Sequence, residues 1–396
     1  MSDAAVYWDP YQVEITADPY PVFRRLRDEA PLYYNEAHDF YALSRFDDVK
    51  QGLLDHETYI SGRGAILELI KADVEFPKGV FIFEDPPIHT IHRSLLRRVF
   101  TPKKMGALEP QVREFCARCL DPWVGSEGFD VIAELGSQMP MRVIGMLLGI
   151  PDTDLDAVRE RADAALRTEP GKPMQVSEGA MAGSNFEAYL DWRVDNPSDD
   201  LMTELMRAEF EDEEGVTRCL TREEILTFVN VLASAGNETT NRLIGWTTKL
   251  LSEHPDQRRW LAEDHSRIPN AVEEILRCEG PALFIGRYVA RDVEVQGRKV
   301  PEGSAMLFLV GAANRDERVY PDGDRFDVTR RVYPPHLAFG FGAHACLGAA
   351  LARLEGRVAL EELLLRFPDW EVDLAQARLS PTSTVRGWET LPMRLG

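Results

Sequence analysis

The sequence predicts a mainly α-helical protein, and three observations predict it. Residues 221–253 read as one unusually long helix, roughly 33 residues and about 50 Å at 1.5 Å per residue. Residues 105–215 are helical in pattern, punctuated by Pro122, Pro151, Pro170, Pro173 and Pro197. No Pro/Ser/Gly linker, repeat or low-complexity block divides the 396 residues, so a single domain spanning 1–396 is expected.

Composition narrows the function classes. Hydrophobic residues make up 44%, an ordinary globular value, and the net charge is −21. That charge repels nucleic acid and anionic lipid in bulk. The N-terminus lacks the basic and apolar regions of a signal peptide, and no run of 18 apolar residues exists. A cytoplasmic monomer without membrane or nucleic-acid partners is the expectation. The five cysteines are odd in number and scattered, which argues against a disulfide framework. Cys116 and Cys119 form a C-x-x-C pair with no second ligand pair, and they read as two cysteines on a helix.

The elements follow in order. A helix over residues 19–28 follows an Asp-Pro start and ends at Pro31. The aromatic, alternating LYYNEAHDFYALSRF suggests a hairpin, and residues 47–55 a short helix. Over residues 56–83 the pattern fades into a long irregular stretch carrying Phe81, Ile82 and Phe83, such as lids and binding loops use. Pro86 and Pro87 start another helix, which Pro102 follows, and His89 and Arg93 share one face of it, suited to an anionic group. Arg97, Arg98, Lys103 and Lys104 cluster at its end. Helices over 155–167 and 177–194 flank the irregular TEPGKPMQV, and the acidic residues 209–214 read as a solvated turn.

Thr221 and Glu224 form a capping box at the start of the long helix. Ala235-Gly236-Asn237-Glu238-Thr239-Thr240 is expected to interrupt it, because Thr239 can bond back to the Ala235 carbonyl and widen the turn. A helix over 269–277 follows, with Glu274 and Arg277 spaced i, i+3. Residues 291–303 read as a hairpin, and residues 349–366 as a helix with Arg353 and Arg357 on one side.

The most specific stretch is HLAFGFGAHACLGAALARLE, residues 336–355. A loop rich in Gly and Phe presents Cys346 just before a helix. The unpaired N–H groups and positive dipole end of a helix start help a thiolate stay ionised. Gly340, Gly342 and Gly348 allow tight folding and close approach of a flat ligand. Phe339 and Phe341 can cover the sulfur.

Phe339, Gly340, Gly342, His344, Cys346 and Gly348 resemble the haem-binding loop of cytochromes P450. Four other stretches are similar to that family in the same order: D-P-P-x-H-T-x-x-R, A-G-x-[DE]-T, E-x-x-R, and the segment of Arg325, Phe326, Asp327 and Arg330. The resemblance implies a triangular helical domain with a small β-rich lobe, binding haem b (iron protoporphyrin IX) with Cys346 as the axial thiolate. His89, Arg93, Arg287 and His344 would contact the propionates. Ala235 and Gly236 would border the oxygen groove, Thr239 would stabilise activated oxygen, and Glu238 would relay protons. Glu274, Arg277 and Arg330 would form a structural ion network.

The implied reaction is dioxygen-dependent hydroxylation, epoxidation or O-demethylation of an apolar small molecule. The pocket would be lined by Phe81, Ile82, Phe83, Leu232, Ala235, Leu283, Phe284, Ile285 and Val385. The chain has no flavin or iron–sulfur motif, so electrons would come from a ferredoxin or flavodoxin and its reductase. The donor would dock on Arg97, Arg98, Lys103, Lys104, Arg353 and Arg357. A peroxide-driven peroxygenase and a non-enzymatic haem-binding sensor are the rival readings.

Overall fold

Thr221 caps the long helix as its sequence requires. The Thr221 hydroxyl accepts the Glu224 N–H at 3.2 Å, and the Glu224 carboxylate accepts the Thr221 N–H at 2.8 Å. The structure is a computed structural model that describes residues 5–166, 168–175, 186–382 and 384–396. In it the long helix runs Arg222–Glu253 and is buried on all sides over most of its length. Such all-round burial belongs to a helix at the centre of a large core. Helices Met139–Leu148 and Ala349–Arg366 pack against it. The expected interruption at 235–240 does not occur. Thr239 does donate to the Ala235 carbonyl, at 3.0 Å. A carbonyl has two lone pairs, so this bond can be added while the helix stays continuous.

The β structure gathers sequence from both ends of the chain. One sheet runs in the order Leu32–Asn35, Phe40–Leu43, Ala305–Phe308, Ile285–Val289, Tyr59–Ile60. The first pair is the expected hairpin, with Leu32 opposite Leu43. Ala305–Phe308 then joins Phe40–Leu43 in parallel and Ile285–Val289 in antiparallel fashion. A second sheet combines Trp370–Val372, Pro392–Leu395 and Gly128–Asp130. Trp8, Phe23, Phe40, Phe284 and Leu307 form a core of their own beside the first sheet.

Two local expectations are corrected. Residues 56–83 are more regular than the fading pattern suggests: Tyr59–Ile60 is a strand, Leu67–Ala72 a helix and Phe81–Phe83 a tight helical turn. Leu67, Leu69 and Ile70 are buried, so tertiary contact orders a helix too short to show a period of its own. The acidic stretch is also not a simple turn. Glu209–Glu211 pairs with Thr217–Cys219 as a small hairpin, with Phe210 buried between exposed glutamates. Period-two alternation there was masked by the run of charge.

Above the long helix, Leu155–Leu166 is helical and residues 168–175 are irregular, as expected. The second flanking helix is Glu187–Asp195; the start expected for it lies outside the described residues. Thr168 donates its N–H to the Pro381 carbonyl at 2.8 Å, and the Met174 N–H reaches Glu68 Oε1 at 3.0 Å. Cys116 and Cys119 are free thiols on helix Glu109–Leu120. Among the described residues no helix is long and apolar enough to cross a membrane.

Candidate active site

Cys346 lies between a helical turn, Gly342–His344, and helix Ala349–Arg366. Gly340 and Gly342 take φ of +66° and +74°, the left-handed region where glycine is at ease. A Cβ on Gly342 would stand 2.7 Å from the Leu53 carbonyl oxygen, so the loop lies hard against the end of helix Phe46–Leu54. The Cys346 N–H donates to the Phe339 carbonyl at 2.7 Å, closing the loop. Cys346 is exposed as a residue, yet protein surrounds its thiol closely. Burial therefore pushes the thiol up, against the Gly348 N–H, Arg93 and Arg353, which pull it down.

Four groups that can carry positive charge converge beside this loop. His89 comes from helix Ile88–Arg97 and stacks on His344, with ring centroids 3.9 Å apart. Arg93, one turn on, donates to the Ala345 carbonyl. Arg287 projects from strand Ile285–Val289 and is buried. Burial, and then Arg93, hold His89 down to about 4. Burial, and then His89, hold His344 down to about 2. Burial also lowers Arg287, to about 10. Both ring nitrogens of His89 and Nε2 of His344 are buried without a hydrogen-bond partner. Unpaired buried ring nitrogens of this kind, beside two arginines, fit a ligand that carries anionic oxygens.

The long helix supplies the opposite wall. Ala235 is exposed and Gly236 and Thr239 half-exposed, while their neighbours Ala233, Asn237, Glu238 and Thr240 are buried. An open stripe thus runs along one face of a buried helix. Gly236 also allows a close approach, since a Cβ there would lie 3.3 Å from Ile144 Cδ1. Glu238 is buried and ion-paired with Arg242, which also donates to the Trp388 carbonyl. Spacing of i, i+4 on one helix could have revealed Arg242.

Other expected positions divide. Phe81 packs against Phe228 and Phe83 against Phe76, at 5.8 and 4.5 Å between ring centroids, so both are anchors and only Ile82 between them is half-exposed. Leu283 and Phe284 are buried in the N-terminal core, Phe284 edge-on to Trp8 at 6.0 Å. Ile285, next along the strand, belongs to a different core cluster, as alternation requires, and approaches the Cys346 loop at Gly340. Leu232 is buried one turn before Ala235, and Val385 is half-buried.

Glu274 and Arg277 are fully buried and doubly bonded, at 2.7 and 2.8 Å, and Arg330 Nε reaches Glu274 Oε1 at 3.2 Å. Of the basic cluster, Arg97, Arg98 and Lys103 are exposed, and Lys104 pairs with Glu204. Arg353 is bound by Glu273 at 2.6 and 2.9 Å, and Arg357 by Glu109 and Glu361. Neither adds unpaired charge to that face, contrary to the expectation from sequence.

The family model described as Cytochrome P450 matches residues 185–387. The putative cytochrome P450 123 of Mycobacterium tuberculosis is 39% identical over 399 residues, spanning 99% of this chain and 98% of that one. This chain belongs to the cytochrome P450 family. The vitamin D(3) 25-hydroxylase of Pseudonocardia autotrophica is 34% identical, over 96% of this chain and 94% of its own. A mutant of P450 EryK in complex with erythromycin B superposes with a TM-score of 0.87 at 30% identity, over 98% of each chain. The chain is therefore a P450 monooxygenase, with the P450 fold and haem as its cofactor. The recess fits that cofactor on its own evidence: a thiol on a loop shaped by glycines, three orphaned ring nitrogens, and cationic groups awaiting carboxylates.

Proposed function

We propose that this P450 hydroxylates a medium-sized apolar molecule with dioxygen, using electrons from a separate ferredoxin or flavodoxin and its reductase. The observation that carries the reading is the open stripe of Ala235, Gly236 and Thr239 on an otherwise buried helix, with an acid and an alcohol side by side. Such a pair suits proton delivery to oxygen more than peroxide-driven chemistry, which brings its own protons, and more than sensing, which needs none.

Haem, held through Cys346, supplies dioxygen activation, and a thiolate ligand favours O–O cleavage. The remaining work belongs to the chain. The Gly348 N–H and the cations Arg93 and Arg353 oppose the upward push of burial on the Cys346 thiol and would favour the thiolate that binds iron. His89, Arg93, Arg287 and His344 would bind the propionates, and the charge of these carboxylates would offset the burial that now depresses both histidines. The Thr239 hydroxyl donates to the Ala235 carbonyl and so presents its oxygen as an acceptor toward the open stripe. Glu238 would carry protons to that stripe.

Substrate would lie over Leu232, Ala235, Ile82, Ile285 and Val385, an apolar lining with few polar contacts. Relatives named for vitamin D(3) hydroxylation and bound to erythromycin B support a substrate of that bulk. Electron donors would meet Arg97, Arg98, Lys103 and Lys104, where complementary charge raises encounter rate. The domain would comprise residues 1–396 as one unit.

A screen for molecules that shift the haem optical spectrum identifies the substrate class. Turnover is then measured under labelled dioxygen with a ferredoxin and reductase. One labelled oxygen atom in the product is expected. Product formed only with added peroxide would establish the peroxygenase instead, and binding without product the sensor.

A further inference from the structure

Helix Ile268–Cys278 carries two adjacent carboxylates, Glu273 and Glu274. Neighbours on a helix point about 100° apart, so the two serve different partners. Glu274 is fully buried with Arg277 and Arg330. Glu273 turns toward helix Ala349–Arg366 and grips Arg353 through both oxygens, at 2.6 Å to Nε and 2.9 Å to Nη2. A fork of this kind fixes the plane of a guanidinium as well as its position. The guanidinium so fixed lies over the Phe339 ring, 4.5 Å from its centroid. Phe339 in turn closes the Cys346 loop, since its carbonyl accepts the Cys346 N–H at 2.7 Å.

Glu273 has a second neighbour. His336 Nε2 lies 3.4 Å from Glu273 Oε2, and the His336 ring lies 5.6 Å from that of Phe339. His336 Nδ1 accepts the Ala338 N–H at 3.2 Å, so the proton of the neutral ring belongs on Nε2, facing the carboxylate. Burial pushes the Glu273 carboxyl up, but His336 and Arg353 outweigh it and hold it down to about 2. The pair adds little to stability, because the Arg353 side chain is 41% exposed and that of Glu273 28%. What it fixes is the place of one positive charge, against the ring and loop that surround the sulfur.

We infer that Glu273 is a positioning residue that raises the reduction potential of the haem by holding the Arg353 cation against Phe339, beside the Cys346 loop. The inference rests on Cys346 as the iron ligand. Reduction adds one electron to the iron and breaks no bond, so the centre gains one unit of negative charge. A cation fixed beside the sulfur ligand favours that reduced state. Released from Glu273, the arginine side chain extends into water, where screening weakens its effect. Glu273 could act in two ways of opposite sign. As a mere negative charge near the iron, its removal would raise the potential. As the holder of Arg353, its removal lowers it.

The test titrates the full-length, haem-loaded enzyme with dithionite and redox mediators, without its protein donor, and reads the potential from the haem absorption. The parent is compared with Glu273→Gln, Arg353→Gln and the double variant. Each single variant should lower the equilibrium constant for reduction about three- to fivefold, roughly 30 to 40 mV at 59 mV per tenfold for one electron, the scale of one partly screened charge. The double variant should match Arg353→Gln alone, because Glu273 acts through Arg353.

A rise or no change in Glu273→Gln would overturn the inference, as would an unchanged potential in Arg353→Gln. Slower reduction by the protein donor at an unchanged potential would make Arg353 a docking residue and overturn it too. Should Glu273→Gln not load haem, Glu273→Asp, too short for the same fork, should show a smaller fall, and a rise or no change there counts equally against it. A parent lacking the thiolate band with carbon monoxide would overturn the ligand assignment itself, and the inference with it.

Discussion

At Thr239 a hydroxyl is carried on the one open stripe of a buried helix, bonded to Ala235 at 3.0 Å. Replacing it by alanine removes the acceptor facing that stripe. Thr239→Ala should keep substrate binding and divert most electrons into hydrogen peroxide, measured as peroxide per NADPH consumed; unchanged coupling would remove Thr239 from the mechanism. Glu355 offers a test by pH. It is fully enclosed, burial pushes it up to about 8 from an ordinary 4.5, and Thr240 donates to it at 3.1 Å. Below its unfolded value both states hold the proton. Above that value the unfolded chain loses it while the folded chain keeps it, so this group's contribution to stability falls as pH rises toward 8. Glu355→Gln should flatten the decline in unfolding midpoint over that window, and a slope equal to the parent's would contradict the assignment. At this scale the sequence showed Cys346, Thr239 and Glu238 because their neighbours are distinctive. It left Arg242 unremarked because an i, i+4 pair is common, and only burial makes this one costly.

Elements were legible where their signal is local. The capping box of Thr221 and Glu224 marked the long helix's start, and both of its bonds are present. Thr221→Ala should cost about 1 kcal/mol, read as a lower urea midpoint, with Thr221→Ser close to the parent; equal midpoints for alanine and the parent would show that the cap is energetically idle. Helix Ala349–Arg366 and the hairpin from Leu32 to Leu43 were likewise written in their own residues. Leu67–Ala72 was not, because six residues hold less than two turns and its order comes from burying Leu67, Leu69 and Ile70. The face of strand Ile285–Val289 was also illegible. Leu283 and Phe284 read as pocket residues by hydrophobicity, and their place in the core around Trp8 shows only in the fold.

For the whole molecule, helical class followed from one long central helix, whereas the main sheet could not be foreseen. Its strands come from residues 32–60 and 285–308, and pairing over such separation leaves no mark in any short window. The charge distribution carries a prediction at this scale. The protein is strongly acidic, with net charge −21, yet Arg97, Arg98 and Lys103 stand exposed near the Cys346 side. Reversing Arg97 and Arg98 to glutamate should slow reduction by an acidic donor several-fold at low salt, with the difference fading at high salt. A reduction rate indifferent to both changes would leave the patch merely solvated.

The account turns on the Cys346 thiolate, and the carbon-monoxide spectrum of the reduced protein reads that ligand directly. The parent should show the red-shifted Soret band of thiolate ligation, and Cys346→Ser should lose it while still retaining haem through His89, Arg93, Arg287 and His344. A thiolate band surviving in Cys346→Ser would contradict the assignment at its centre.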